Sequence, residues 1–316
     1  MSFKLFVYYC AVCGAWFGFF GWLLGRQITT GQVQEMLLLK TILRGLALGM
    51  MVALGLGVVD ALWNQSTRKI GPVIVRGLFV AVIGCLSGLV GSAVGEAFHW
   101  GTGLRVLVPF GWLLTGLLIG ASVGTYDLFL RLRRAENPAG AMAKIFKGLL
   151  GGALGGLLGG LLYLLLGQML SGVLGQLLHQ AVSDPASPSA WGFVALGGCI
   201  GLFIGLAQVI LKEAWVRVET GFRPGRELIL SKEETTIGRA ETCDIGLFGD
   251  PGIEKIHARI LLRDKRYLLD DSGTPGGTFV NDEKITQPTP LRSGDAIRVG
   301  KSILRFSERQ KKEMVR

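Results

Sequence analysis

Residues 147–167 read KGLLGGALGGLLGGLLYLLLG. No charged residue follows Lys147 for twenty positions, and about 20 apolar residues is what an α-helix needs to cross the hydrocarbon core of a bilayer. Working outward, apolar stretches of that length recur at 4–24, 41–63, 73–97, 106–130 and 191–212, with this one spanning 145–167. Six crossings put both chain ends on one side. A chain of 316 residues that is half apolar, only 18% charged and carries 48 Gly is too oily for an ordinary water-soluble globule. The first stretch is long, aromatic-rich and followed by no small-residue cleavage site, so it reads as a span and not as a cleavable signal peptide.

Charge divides the chain in two. Residues 1–211 hold 13 of the 33 Lys and Arg and 6 of the 23 Asp and Glu, and residues 212–316 hold the rest. In the first part the basic excess flanks apolar runs, where it orients a membrane protein; in the second, acids and bases are interleaved as on a solvated surface. The net charge of +10 therefore requires no nucleic-acid partner. Lys4, Arg68, Lys69, Arg76, Arg131, Arg133, Arg134, Lys144, Lys147, Lys212 and Arg217 fall on one side of the six spans, against Arg26, Lys40, Arg44 and Arg105 on the other. Because Lys and Arg resist translocation, both termini and the charged third are expected in the cytoplasm, and a bacterial inner membrane suits such a chain. The loop 168–190 on the far side carries no basic residue. Its Ser183–Ser189 piece holds two prolines, and the apolar Met169–Val182 before it is either an extension of the fifth helix or a short interfacial helix.

The spans carry glycine ladders that look like one helical hairpin used three times, against the plainer reading that glycine is simply commoner in membrane helices. The even spans read Gly49, Gly57 and Asp60; Gly116, Gly120, Gly124 and Asp127; Gly197, Gly201, Gly205 and Gln208, with the polar residue always three positions after the last glycine. The odd spans carry Gly14, Gly18, Gly21 and Gly25; Gly77, Gly84, Gly88 and Gly95; Gly148, Gly152, Gly156 and Gly160. Spacing by four aligns glycines on one stripe, where backbones approach closely. Such stripes pack hairpins within one chain or join chains into a homo-oligomer. Asp60 and Asp127 suggest a proton or ion pathway in one reading and, in the blander one, local ion pairs with Arg68 and Lys69 or Arg131 and Arg133 at the cytoplasmic helix ends. Glu96, His99 and Trp100 read as ordinary interface residues of the opposite end.

After Trp215 the pattern changes to short β-rich runs between turns: Glu227–Leu230, Thr235–Ile237, Ala258–Leu262, Tyr267–Asp270, Thr278–Val280, Ala296–Val299 and Ser302–Phe306. That spacing suits an antiparallel β sandwich. The expected organisation is an all-α membrane domain over 1–212, a short linker over 213–221, an all-β sandwich over 222–308 and a basic tail over 309–316.

Within the sandwich, Ile237-Gly238-Arg239, Cys243-Asp244-Ile245, Ile256-His257-Ala258-Arg259-Ile260, Gly277-Thr278-Phe279-Val280-Asn281 and Leu291–Val299 together resemble a forkhead-associated (FHA) domain. The resemblance implies a β sandwich whose loops at one end bind phosphothreonine peptides without catalysis. It covers about a third of the chain; the membrane part resembles no family as specifically. The resemblance gives Arg239 the phosphate-facing guanidinium, and Gly238, His257 and Gly277 structural roles, His257 as a loop brace. Glu254 stands where the family has a serine, Pro275-Gly276 where it has Thr-Asn, and Asp282 where it has a glycine after Asn281. A carboxylate there repels a phosphate of nearly two negative charges and removes a hydroxyl donor. One reading has Glu254 pairing with Arg239 in imitation of the phosphate; the other has Glu254 in solvent while Arg239 still binds phosphate weakly, aided by loop amides and Lys255. The expected contact surface is Arg239, Glu254, Lys255, Thr274, Gly276 and Asn281.

No phosphate-cradling Gly-Lys-Ser/Thr loop, ligand-spaced metal cluster or nucleophile–base pair is legible. His99, His179 and His257 are far apart in sequence, and Cys10-x-x-Cys13 lies inside an apolar span. Neither enzyme activity nor a cofactor is expected. The whole reads as a membrane-anchored scaffold or signalling protein that presents a cytoplasmic FHA domain to a protein partner. The alternative is a channel or transporter regulated by that domain, in which Asp60 and Asp127 face a water-filled cavity.

Overall fold

The computed structural model describes residues 3–29, 37–64, 70–104, 107–133, 135, 137–177, 188–230, 234–263 and 266–309. It divides into a helical unit, Phe6–Ala61 with Ile70–Ile210, and a β unit within Leu211–Arg316.

The helices are α1 (Phe3–Ile28), α2 (Leu37–Asn64), α3 (Ile70–Thr102), α4 (Val108–Arg133), α5 (Ala139–Leu177) and α6 (Pro188–Ile210). All six contain segments long and apolar enough to cross a membrane. Helix α5 continues to Leu177, so Met169–Leu177 extends the fifth helix; the rest of that loop up to residue 187, with His179, lies outside the described residues. Proline sits in the first turn of α3, α4 and α6, where no helical N–H partner is lost. Asn137 Oδ1 accepts from the Ala139 N–H at 2.9 Å to cap α5. Gly103, at φ +71°, ends α3 by returning its N–H to the His99 carbonyl.

Glycine decides how these helices pack. A Cβ on Gly49 would fall on the carbonyl oxygen of Gly84, one on Gly116 on that of Gly152, and one on Gly197 on that of Gly14. Those are the α2–α3, α4–α5 and α6–α1 crossings, and all run antiparallel. Gly21 against Leu48, Gly91 against Gly111 and Gly151 against Phe203 bring together the intervening pairs. Each helix thus meets its chain neighbours, and α6 returns to α1 in a closed ring. At these crossings the backbone that a glycine admits belongs to a helix of the same chain, which is the first of the two expected uses of the stripes, packing hairpins within one chain.

The three crossings are equivalent residue by residue. Eleven positions after Gly49, Gly116 and Gly197 stand Asp60, Asp127 and Gln208; eight positions before Gly84, Gly152 and Gly14 stand Arg76, Lys144 and Phe6. Four, eight and twelve positions before each even-helix polar residue come Leu56, Val123 and Ile204, then Val52, Ile119 and Ile200, then Leu48, Thr115 and Leu196, all at most 2% exposed. Branched side chains therefore fill the buried even-helix positions next to the polar end.

The β unit is a sandwich of two sheets, ordered β2-β1-β11-β10-β7-β8 and β4-β3-β5-β6-β9. Their strands are β1 (Ala214–Thr220), β2 (Glu227–Ile229), β3 (Glu234–Gly238), β4 (Ile245–Gly246), β5 (Ala258–Arg263), β6 (Arg266–Asp271), β7 (Thr278–Val280), β8 (Glu283–Lys284), β9 (Thr289–Pro290), β10 (Ala296–Val299) and β11 (Ser302–Glu308). The expected linker 213–221 is a correction: it contains β1, which lies between β2 and β11. Ala214, Val216 and Val218 point into the core every second residue. Only three residues join Ile210 to Ala214. Facing side chains such as Ile237, Ile260, Leu269, Ile297, Leu304 and Phe306 are fully buried between the sheets.

Candidate functional site

The loops after β3 and β4 meet at Arg239, and the loop after β6 is tied to them through His257. Its N–H donates to the Glu254 carbonyl at 2.9 Å, and the Ala240 N–H donates to the Lys255 carbonyl at 3.1 Å. The Cys243 thiol, buried, donates to the same Lys255 oxygen at 3.1 Å. A Cβ on Gly238 would fall on that oxygen as well, which is the steric reason for glycine before the arginine.

From the other side, the Glu254 N–H donates to His257 Nδ1 at 3.2 Å. With Nδ1 accepting, the ring proton lies on Nε2, which is 3.2 Å from the Gly277 carbonyl and 3.1 Å from Thr274 Oγ1. His257 is fully buried, so it fastens the Glu254 loop to the loop after β6, the bracing role that the resemblance implies. The Thr274 and Thr278 hydroxyls donate to Asp271 Oδ1 at 3.1 and 2.6 Å, and the Gly273 and Thr274 N–H groups donate to Oδ2. Partial burial alone would raise the Asp271 carboxyl, but these bonds outweigh it and hold the group below the ordinary carboxylate range.

Arg239 and Glu254 are the exposed outcome of this framework. Arg239 Nη2 lies 3.9 Å from Glu254 Oε2, with each side chain about half exposed. Lys255 is exposed beside them, and Gly276 approaches the Gly252 carbonyl. Two expected contact residues are engaged elsewhere. Thr274 is buried, its hydroxyl committed to Asp271 and His257. Asn281 occupies the left-handed turn between β7 and β8 and bonds Asp295 Oδ1 and the Ala296 N–H, each at 2.9 Å. Arg298, over the Phe279 ring and 3.4 Å from Asp282, lies along that turn and was not among the expected residues.

The helical unit holds a second polar cluster. Arg76 bonds Asp60 and lies 3.1 Å from Asp127, while Lys144 Nζ lies 2.8 Å from Asp60 and 2.9 Å from Asp127. Arg76 also donates to the Val123 carbonyl at 3.2 Å. The expected pairing of both aspartates is thus present with other partners: Arg76 and Lys144 come from adjacent helices, whereas Arg68 and Lys69 lie outside the described residues. Arg131 donates to the Asn137 carbonyl. Gln208, at the third equivalent place, is buried. Among the described residues no group of three or more His, Cys, Asp or Glu is placed to hold a metal ion.

A two-sheet sandwich that presents an arginine on clamped loops belongs to the class of interaction modules. The family model for the FHA domain matches residues 235–300. FhaB of Mycobacterium tuberculosis is 27% identical over 104 residues, covering 33% of this chain and 66% of its own length. The glycogen accumulation regulator GarA of Mycolicibacterium smegmatis is 30% identical over 122 residues, 39% of this chain and 70% of that protein. A domain solved in a study of phosphothreonine-dependent FHA interactions is 27% identical and covered in full, at a TM-score of 0.29 over 32% of this chain. The chain belongs to the FHA-domain proteins through its C-terminal part, and the N-terminal part is unmatched. The chain spans just under two thirds of FhaB. FHA-domain proteins mediate protein–protein interaction and signalling.

Proposed function

We propose that this protein is a membrane-held recognition protein: the six helices anchor it, and the FHA domain presents the Arg239 loops to a protein partner, as a scaffold or signalling component without catalysis of its own. The observation that carries the reading is the clamp behind Arg239 and Glu254. Both their backbones are fixed by His257 and by cross-loop hydrogen bonds while their side chains stay half exposed, which is the preorganisation a binding surface needs. Basic residues concentrated on one side of the spans support a cytoplasmic domain in a bacterial inner membrane.

The helical unit supports an anchor better than a conduit. Its even-helix positions are filled with buried branched side chains, and Asp60 and Asp127 are satisfied by Arg76 and Lys144. Affinity capture of the intact protein in mild detergent, with and without phosphatase treatment, tests the recognition reading. Partners retained by the wild type and lost with Arg239→Ala are expected; an identical capture by both variants would remove the Arg239 loops from recognition. Protease protection in inverted vesicles tests the orientation, with cleavage of the FHA domain without detergent as the expected result.

A further inference from the structure

Of all polar groups near Arg239, Glu254 is the one whose position leaves least choice. Its N–H is tied to the fully buried His257 and its carbonyl to the Arg239 N–H itself. The next carbonyl, of Lys255, holds the Ala240 N–H and the Cys243 thiol. The Glu254 Cα therefore cannot move away from Arg239 without breaking several bonds at once, which keeps its carboxylate within reach of the guanidinium. A half-exposed pair at 3.9 Å is weak as a contribution to folding. Its effect is on what else can enter. A guanidinium recognises phosphate through charge and paired donors, and here a carboxylate oxygen already stands 3.9 Å from one arm of that fork. An incoming dianion must either displace a side chain whose backbone is pinned or sit within a few ångströms of it, and like charges at that range repel.

We infer that Glu254 is a specificity-determining residue that acts as a built-in ligand of Arg239, so that the domain selects unphosphorylated protein segments and discriminates against phosphothreonine. This rests on the reading of the Arg239 loops as the partner surface. With the arginine neutralised from within, the groups offered outward are an acceptor carboxylate, the Lys255 ammonium and the exposed Ile256 beside them. These fit a neutral or basic segment with an apolar residue.

The full chain in lipid nanodiscs, titrated against a degenerate peptide library centred on phosphothreonine and a matched threonine library, gives the test by fluorescence anisotropy. The wild type should bind the unmodified library at least as tightly as the phosphorylated one. Glu254→Gln, which keeps the side-chain shape and removes the charge, should shift the preference toward the phosphorylated library tenfold or more, and Glu254→Gln with Arg239→Ala should lose the gain. A preference for the phosphorylated library already present in the wild type and abolished by Arg239→Ala would overturn the inference while leaving the partner surface standing. An unchanged preference in Glu254→Gln, with amide exchange of residues 238–257 as in the wild type, would also overturn it, because charge would then not be what withholds phosphate. Failure of the partner-surface reading would show separately, as capture indifferent to Arg239.

Discussion

At the scale of single residues, the buried His257 braces the Arg239 and Glu254 loops more than any exposed side chain on them does. Replacing it with alanine removes the acceptor for Glu254 and the donor for Gly277 and leaves a buried gap. Together these should cost roughly 2–4 kcal/mol and speed amide exchange over 238–257, as read by mass spectrometry. Two titrating groups give opposite pH signatures. Asp271 has a folded value below the ordinary carboxylate value of about 3.9. Its contribution is present in full above that value and is lost as pH falls through the folded one, so the stability gap between wild type and Asp271→Asn should shrink below about pH 4. Tyr267 goes the other way: burial first, then the nearby Glu213 and Glu308 carboxylates, push its phenol up to about 12. The phenol favours the fold fully below about pH 10, the unfolded value, and that contribution disappears as pH climbs toward 12. Alkaline titration followed by tyrosinate absorbance should show Tyr267→Phe resisting that loss.

At the scale of elements, glycine positions separate those that admit a neighbouring backbone from those that merely stand in a helix. Gly49 faces the Gly84 carbonyl, whereas nothing lies within 4 Å of a Cβ on Gly101 in α3. Gly49→Leu should force α2 from α3 and lower the melting temperature in detergent, while Gly101→Ala should leave it unchanged or raise it, since alanine gains up to about 1 kcal/mol over glycine in a helix. Equal effects of the two would mean that the ladders reflect composition alone. The same contrast explains what sequence could reveal. The hairpin repeat and its Asp, Asp, Gln endings were legible because spacing by four places residues on one helix face. Strand β1 was not recognised, although Ala214, Val216 and Val218 alternate, because it starts three residues after an apolar span and has no turn signal before it. Arg239 and His257 were legible as a local motif. The commitments of Thr274 to Asp271 and of Asn281 to Asp295 were not, because they depend on which hydroxyls and amides the folded loops leave unpaired.

At the scale of the whole molecule, glycine stripes repeated three times cannot by themselves say which hairpin lies beside which, since Gly49–Gly84, Gly116–Gly152 and Gly197–Gly14 are the same contact. Polar residues break that equivalence. Asp60 with Arg76 and Asp127 with Lys144 mark two crossings, and each acid also reaches the other cation, so four helices share one neutral cluster. The third crossing has Gln208 and Phe6 in those places and carries no charge. Removing one member of a buried ion cluster strands its partners, at roughly 3–5 kcal/mol, whereas replacing all members by apolar residues of similar size is often neutral. Arg76→Met alone should therefore destabilise the detergent-solubilised protein strongly. The combined replacement of Asp60 and Asp127 by Leu with Arg76 and Lys144 by Met should recover most of the melting temperature and lose uniqueness of packing instead. The measurement is disulfide trapping between Cys10 and Gly205→Cys, whose Cβ atoms would lie 3.1 Å apart across the uncharged α6–α1 crossing. With the cluster intact this bond should form within one chain; with all four charges gone, a fraction should form between chains or not at all. Trapping that stays wholly within one chain would show that packing alone fixes the order of the hairpins.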